Sequence, residues 1–291
     1  MAIRKVGVIG AGLMGHGIAQ VAAQGGCEVL VCEAQQGFLD KGLERIDKSL
    51  AKLAEKAKEK GQTFDAAAVR ARIRGTLSKA DLADCDLVVE AIVEDLDVKK
   101  ALFAELGKIV KKDGIFASNT SSFPIAEMAT ASGRADRFVG LHFFNPVQLM
   151  KLVEVVKTDK TNEDVVAQAR AFGEACGKSP ITCKDTPGFV VNRLLVPYMA
   201  EAMKLAERGD ASIPDIDVAM KLGCGYPMGP FELTDYVGLD TTLFILQGWV
   251  KRYPNDPAFQ IPKLLEAKVK EGKLGRKTGQ GFYTWQGDKR V

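Results

Sequence analysis

The chain has 291 residues, 46% of them apolar, and its 40 basic and 37 acidic side chains leave a net charge of +3. That length admits one to three domains with an ample core, which excludes a small module stapled by disulfides or metal. So balanced a charge argues against a dedicated nucleic-acid binder, and no apolar run is long enough to insert in a membrane. The six cysteines (Cys27, Cys32, Cys85, Cys176, Cys183 and Cys224) form no C-x-x-C pair and have no histidine at metal-ligand spacing. Most sit in apolar runs, so inert thiols in a reducing compartment are expected, with no disulfide framework and no metal. No stretch reads as a signal peptide, which points to the cytoplasm, or to the mitochondrial matrix if a presequence has been removed.

Val6 to Ile9 is a short apolar strand, followed at once by Gly10-Ala11-Gly12-Leu13-Met14-Gly15 and by a helical stretch, Gly17 to Gln24. Gly25-Gly26 ends that stretch, and Glu28 to Cys32 reads as a second strand. This is G-x-G-x-x-G in the context it needs, a strand before and a helix after. Gly10 permits the tight turn, Gly12 lets backbone approach a pyrophosphate, and Gly15 allows helix and strand to pack closely. The helix N-terminus then offers unpaired N–H groups and its positive dipole end to the phosphates.

Glu33 closes the second strand eighteen residues after Gly15, where a carboxylate can accept the ribose hydroxyls. No Arg or Lys follows in Ala34-Gln35-Gln36-Gly37 to welcome a 2′-phosphate. Two like charges about 4 Å apart at an effective dielectric near 20 repel by roughly 4 kcal/mol, so NAD is preferred over NADP. The alternative is a plain strand–helix–strand turn with a surface glutamate. His16, inside the turn, reads as a surface residue rather than a catalyst.

Leu39 to Lys60 is long and helical, with Leu43, Ile46, Leu50, Leu53 and Ala57 on one apolar stripe. Arg45, Lys48, Lys52 and Lys56 form a second, basic stripe, with Ser49 near the border. Gly61 closes the segment and Asp65 to Arg74 reads as another helix, so residues 38–75 are expected to form an inserted helical hairpin. The basic stripe is a solvated face, a partner-binding surface or a site for a ligand with several phosphates. Coenzyme A fits the last of these.

Asp86 to Ile92 is a buried parallel-type strand, and Glu94 lies beyond its C-terminal end, where open α/β sheets bind ligands. Lys99 to Lys112 is helical, and Ile115 to Ala117 is a strand leading into Ser118-Asn119-Thr120-Ser121-Ser122. Such a polar turn can hold substrate or nicotinamide, and it can also cap a helix beginning near Pro124. Next come Leu141-His142-Phe143-Phe144-Asn145-Pro146 and Met150 to Val156, which set His142 and Glu154 twelve positions apart in two short apolar runs. The chain has two histidines, so a chemistry needing a proton acceptor near neutral pH has few other places to go. A buried, merely hydrogen-bonded His142 is the alternative.

Val165 to Cys176 is helical, Ser179 to Cys183 is a short strand, and Asp185-Thr186-Pro187-Gly188 reads as a boundary between domains 1–186 and 187–291. Beyond it strand patterns cease. Phe189 to Arg208 is a long helix carrying Asn192 near its start, and Ser212 caps a helix ending at Gly223. Phe231 to Tyr236, Leu243 to Lys251 and Ile261 to Lys270 complete an all-helical domain. The basic, glycine-rich tail Gly275 to Tyr283 is either a flexible end or a strand folded back onto a ligand.

In order along the chain, V-I-G-A-G-L-M-G-H-G-I-A-Q, V-V-E-A-I-V-E, A-S-N-T-S-S, L-H-F-F-N-P, K-L-V-E-V, K-D-T-P-G-F-V-V-N-R, G-Y-P-M-G-P-F-E-L-T-D-Y-V-G-L-D and K-T-G-Q-G-F-Y resemble the L-3-hydroxyacyl-CoA dehydrogenase family nearly end to end. The resemblance implies an α/β fold, with a Rossmann-like N-terminal domain carrying a helical hairpin insertion and an all-helical C-terminal domain that dimerises. It implies NAD as cofactor and the reversible oxidation of an L-3-hydroxyacyl-CoA to a 3-oxoacyl-CoA, as in fatty-acid β-oxidation or short-chain 3-hydroxybutyryl-CoA metabolism.

Carried over motif by motif, the catalytic pair falls on His142 and Glu154, with Ser121 and Asn192 orienting the substrate. The NAD contacts fall on Gly10, Gly12, Leu13, Met14 and Gly15 of the turn, and on Glu33, Glu94, Lys99, Asn119 and Lys277. The coenzyme A contacts fall on Ser49 and Lys56. Glu33 stands where relatives often have Asp, which keeps the charge. The expected partners are an acyl-CoA substrate and a second copy of the chain, with no nucleic acid and no membrane insertion. Two other readings stand beside this one: a dehydrogenase of a non-CoA hydroxy acid of the L-gulonate type, and a non-catalytic NAD-binding structural protein.

Overall fold

The computed structural model describes residues 3–291, and the chain divides into two units, Met1–Phe189 and Val190–Val291. In the first, β1 (Lys5–Ile9) is a central strand whose Val6, Val8 and Ile9 are all buried, as a parallel strand covered on both faces requires. After the glycine turn, α1 (Gly15–Gln24) returns along the sheet with Ile18, Ala19 and Val21 to Ala23 buried, and β2 (Glu28–Cys32) pairs parallel to β1. The long α2 (Gln36–Glu59) buries Leu39, Ile46 and Leu50 and keeps its charged residues outward. Gly42 lets it come close: a Cβ there would lie 2.3 Å from the Cβ of Ala11, so α2 rests on the glycine turn.

A short α3 (Ala66–Ala71) follows, capped by the Asp65 carboxylate on the Ala68 N–H, and then β3 (Ile73–Thr76). Here the structure corrects the sequence reading, which runs one helix from Asp65 to Arg74. The helix stops at Ala71, and Ile73–Thr76 becomes an edge strand parallel to β2. Within that strand only Ile73 is buried, so no alternation exists to be read and pairing with β2 decides the conformation.

The rest of the unit comprises β4 (Leu87–Glu90), α4 (Leu96–Ile109), β5 (Ile115–Ser118), α5 (Ile125–Ala131), β6 (Phe138–Phe143), β7 (Leu152–Lys157), α6 (Glu163–Ala175) and β8 (Ser179–Lys184). Among the described residues these build an eight-stranded sheet in the order β3-β2-β1-β4-β5-β6-β7-β8. Strands β1 to β6 run parallel, β7 reverses against β6, and β8 runs parallel to β7. The order progresses outward in opposite directions from β1 and β4, which opens a crevice at the C-terminal ends of those strands. Helices α1, α2, α3 and α6 bury one face of the sheet, and α4 and α5 the other. On the second face Phe103 and Phe138 meet edge-on with ring centroids 4.6 Å apart.

The second unit packs α7 (Val191–Glu207), α8 (Ile213–Cys224), α9 (Pro230–Val237), α10 (Leu239–Arg252) and α11 (Lys263–Lys270) around Val196, Met199, Phe231, Leu246 and Trp249. Ser212 caps α8 as expected, accepting from the Asp215 N–H at 3.2 Å. The helix outlasts Gly223, because Gly225 is the residue that takes the left-handed conformation, with φ at 70°.

The tail is not a loose end. It folds back onto its own helices, where the buried Asp235 carboxylate accepts from the Phe282 and Tyr283 amides and from the Trp285 indole at 2.8, 2.9 and 2.8 Å. Asp217 likewise accepts from the Tyr283 hydroxyl at 2.8 Å. Burial raises the pKa of both carboxyls, against the opposing pull of these hydrogen bonds. A two-stranded ribbon, β9 (Trp285–Gln286) with β10 (Lys289–Arg290), ends the chain. Among the described residues no helix is long and apolar enough to cross a membrane.

Cys27, Cys32, Cys85 and Cys176 are buried, Cys183 is half-buried and Cys224 is exposed. Burial pushes the thiol of Cys32 up to about 11 and those of Cys85 and Cys183 up to about 12, so they stay protonated and unreactive well above neutral pH. Iodoacetamide at pH 8 is therefore expected to label the native protein at Cys224 alone and all six cysteines after denaturation. Peptide mass spectrometry reads the result, and rapid native labelling of Cys85 would contradict the packing.

Candidate active site

His142 and Glu154 face each other across the antiparallel β6–β7 ladder, flanked by Leu141 opposite Val155 and Phe143 opposite Val153. Opposed residues in such a ladder project from the same face of the sheet, so a separation of twelve in sequence becomes side-by-side placement. His142 Nδ1 lies 2.6 Å from Glu154 Oε2. Glu154 is fully buried and His142 is 4% exposed. A carboxylate can only accept, so Nδ1 carries a proton, and in the neutral imidazole Nε2 keeps its lone pair. That lone pair meets the Ser121 hydroxyl at 2.8 Å.

Two rings wall the imidazole, Phe144 at 4.5 Å and Phe189 at 5.6 Å between centroids. Phe189 takes φ 55°, a left-handed conformation that costs a bulky residue on the order of 1–3 kcal/mol. Its buried ring, packed with the sheet's second core and against His142, holds it there. The β6–β7 loop is fixed by Lys178, whose buried ammonium donates to Val147 O and, at 2.9 Å, to Met150 O. Burial lowers the pKa of that lysine. Neither Phe189 nor Lys178 carries a signal in the sequence, since both act through residues distant along the chain.

Ser121 sits in the turn after β5. The sequence leaves open whether this turn caps the next helix, and the structure assigns that cap elsewhere. The Ile125 and Ala126 amides at the start of α5 donate to Asp185, at 3.0 and 2.8 Å, from sixty residues away. The polar turn is thereby free for other work. Asn119 Oδ1 accepts from the Phe143 N–H at 2.9 Å, tying the turn to β6 beside His142. Glu94 accepts from the Thr120 hydroxyl and, at 3.3 Å, from the Ser121 amide.

Lys99 is 1% exposed and paired with Glu90 at 2.5 Å and Glu94 at 3.1 Å. Glu90, quoted within a motif above but given no role, proves to be the fully buried centre of this cluster. Its signal in the sequence is a carboxylate ending a buried strand at the sheet's ligand-binding edge.

A cleft of about 630 Å³ opens at the ends of β1 and β4, lined by Gly10, Gly12, Leu13, Met14, Glu33, Glu94, Lys99, Asn119 and Ser121. The backbone of the turn fits a dinucleotide. A Cβ on Gly15 would lie 1.7 Å from Gly10 O, and one on Gly10 2.5 Å from Ala91 O, so both are required for packing. A Cβ on Gly12 would meet nothing within 4 Å, which leaves its backbone open to a pyrophosphate at the N-terminus of α1. Glu33 also braces the turn, accepting from the Ala11 N–H at 2.7 Å and the Ala34 N–H at 3.0 Å.

A second cavity of about 350 Å³ lies between α2 and the β6–β7 loop, lined by Arg45, Lys48, Ser49, Lys52 and Lys56 with Gln148 opposite. His16, set aside in the sequence as a surface residue, lines it too and donates from Nδ1 to Gly12 O at 2.7 Å. Asn192 and Lys277 belong to the second unit. Asn192 is half-buried in the first turn of α7, and Lys277 pairs with Asp240 at 2.6 Å.

Fold and site together define a dinucleotide-dependent dehydrogenase with a histidine–carboxylate pair. Residues 5–186 match the family described as 3-hydroxyacyl-CoA dehydrogenase, NAD binding domain, and residues 188–285 match its C-terminal domain. The pig mitochondrial hydroxyacyl-coenzyme A dehydrogenase is 51% identical over 98% of this chain and 92% of its own length. A probable 3-hydroxybutyryl-CoA dehydrogenase from Deinococcus radiodurans is 50% identical over 97% of this chain and 100% of its own. The crystal structure of (S)-3-hydroxybutyryl-CoA dehydrogenase from Ralstonia eutropha superposes with a TM-score of 0.92 at 41% identity, covering 98% of this chain and 100% of that one. The chain belongs to the 3-hydroxyacyl-CoA dehydrogenase family and is an NAD-dependent oxidoreductase.

With Glu33 in the cleft, NADPH is expected to bind about three decades more weakly than NADH, from roughly 4 kcal/mol of repulsion. Glu33→Gln should narrow that gap by at least tenfold, as read by nicotinamide fluorescence titration. Equal affinities in the unmodified protein would remove Glu33 as the discriminator.

Proposed function

We propose that the protein oxidises an L-3-hydroxyacyl-CoA to the 3-oxoacyl-CoA with NAD⁺ as oxidant and His142 as the base that takes the hydroxyl proton, assisted by Glu154, Ser121 and Asn192. The observation that carries this reading is the Ser121 hydroxyl, which touches His142 Nε2 and also lines the cofactor cleft. An alcohol is too weak an acid to lose its proton unaided as hydride leaves its carbon, so a base must accept it. His142 Nε2 takes that proton, and buried Glu154, holding Nδ1–H, stabilises the imidazolium that forms. NAD⁺, when bound, supplies the hydride acceptor. Ser121 holds the substrate oxygen and fixes its distance from the base, and Asn192 is assigned to the same task by the resemblance alone. In the reverse direction the same imidazolium returns the proton to the ketone oxygen.

The cofactor contacts we assign to Gly10, Gly12, Leu13, Met14, Glu33, Glu94 and Asn119 are supported by the shared cleft, and Gly15 is assigned as the residue that lets α1 begin against the turn. Lys99 lines that cleft too but is ion-paired with Glu90 and Glu94, and Lys277 is assigned by the resemblance alone. The basic cavity on α2 supports the coenzyme A handle at Ser49 and Lys56, because several cations around one hollow match several phosphates. This favours a CoA thioester over a free hydroxy acid of the L-gulonate type. Dimerisation through the helical C-terminal unit is supported by large apolar side chains exposed there, Leu194 at 70% and Leu222 at 82%. The buried, unpaired thiols favour a reducing compartment, the cytoplasm or the mitochondrial matrix. A place in fatty-acid β-oxidation or in short-chain 3-hydroxybutyryl-CoA metabolism accords with the substrate class.

His142→Gln is expected to lower turnover by at least about 10³-fold while NADH still binds, since a positioned acid–base group contributes roughly 10²–10⁴. Turnover within tenfold of the unmodified protein would sink the assignment. Short-chain 3-oxoacyl groups presented on coenzyme A should give a KM at least tenfold below the same groups on pantetheine, and Lys56→Ala should erode that advantage. Following NADH loss measures both, and indifference to the nucleotide handle would return the free hydroxy acid as the better substrate.

A further inference from the structure

The loops after β4 and β5, which carry Glu94 and Ser121, are joined by a buried polar cluster with Glu90 at its centre. Glu90 is the last residue of β4 and has no exposure to solvent. Its Oε1 accepts from the Lys99 ammonium at 2.5 Å and from the Ile92 N–H at 2.8 Å, and its Oε2 accepts from the Ser118 hydroxyl at 2.6 Å. Ser118 Oγ in turn accepts from the Thr120 N–H at 3.2 Å. Lys99 reaches on to Glu94, which holds the Thr120 hydroxyl and the Ser121 amide. Two carboxylates around one ammonium thus grip the Ser118–Ser121 turn from both ends.

A buried carboxylate is kept only where its charge is paired and its lone pairs are used. Here every one of its contacts leads to the loop that presents the hydroxyl touching His142 or to the loop facing the cofactor. We propose that Glu90 is a positioning residue for the dehydrogenase reaction. With Lys99 as counter-ion it orders the Ser118–Ser121 turn, and so sets the distance between the Ser121 hydroxyl and His142 Nε2. The inference rests on the substrate-orienting role given to Ser121 above. Glu90 is hydrogen-bonded to neither His142 nor Ser121; of its partners Ser118 leads into the turn, while Lys99 and Ile92 line the cleft, so a loss of turnover without a loss of NADH affinity marks the path through the turn.

A double-mutant cycle tests this. Glu90→Gln keeps shape and volume but replaces one accepting oxygen by an NH₂, so either Lys99 or Ser118 loses its acceptor; the ammonium keeps Glu94. Glu90→Gln, Ser121→Ala and the double variant are compared with the unmodified enzyme on a short-chain 3-oxoacyl-CoA and NADH. Glu90→Gln is expected to lower kcat about tenfold, with KM for the thioester and Kd for NADH within about twofold, because only orientation is lost. In the Ser121→Ala background the same change should cost less than about twofold, since residues acting through one contact are non-additive. Thermal melts should show equal destabilisation in both backgrounds, which a purely structural role could not turn into non-additive kinetics.

An equal loss of kcat in both backgrounds, no loss at all, or a loss confined to NADH affinity would overturn the proposal. A Ser121→Ala enzyme with unchanged kcat would instead overturn the role of Ser121 itself, and the inference with it. Should Glu90→Gln fail to fold, Ser118→Ala removes the same tether while leaving the Glu90–Lys99 pair intact. It is expected to show a smaller kcat loss with the same non-additivity, and additive losses would count against Glu90 in the same way.

Discussion

The site depends on one cross-strand pair. Strand β7 turns back against β6, and this single antiparallel step in an otherwise parallel run sets Glu154 opposite His142. A one-residue slip in that register would send the two side chains to opposite faces of the sheet. The register is held by Leu141 opposite Val155 and Phe143 opposite Val153 on either side of the pair, and by Lys178 donating to the connecting loop. The histidine proposed as base, which needs its partner at hydrogen-bond distance, is thereby built on strands, which hold geometry better than loops.

Around that pair, loops are fixed by carboxylates rather than by their own sequence. Asp185 caps α5, Glu94 and Glu90 hold the turn bearing Ser121, and Glu33 braces the glycine turn. Each accepts from backbone amides or hydroxyls that would otherwise lack partners in the interior. The arrangement leaves Ser121 with its hydroxyl on His142 and its backbone on Glu94, so one residue faces the imidazole and the cofactor cleft together. The close approach of α2 at Gly42 has a parallel effect, bringing the basic stripe beside the cofactor turn, with His16 between them.

What the sequence determined by itself was local. The glycine turn was legible because strand, turn chemistry and helix are contiguous, and Glu33 because its spacing is short and regular. The amphipathic α2 and its basic stripe followed from helical periodicity, and His142 stood out because the chain has so few histidines. The motifs in order identified the family. Only the tertiary structure decided what depends on partners far along the chain. Ile73–Thr76 is a strand because β2 lies beside it, and the tail is docked because Asp217 and Asp235 are buried beneath it. His142 turns its Nε2 toward the Ser121 hydroxyl because Glu154, brought opposite by the ladder, accepts from Nδ1. Sequence patterns record which face of an element is apolar; they do not record which buried polar groups satisfy one another, and that pairing is what makes this site.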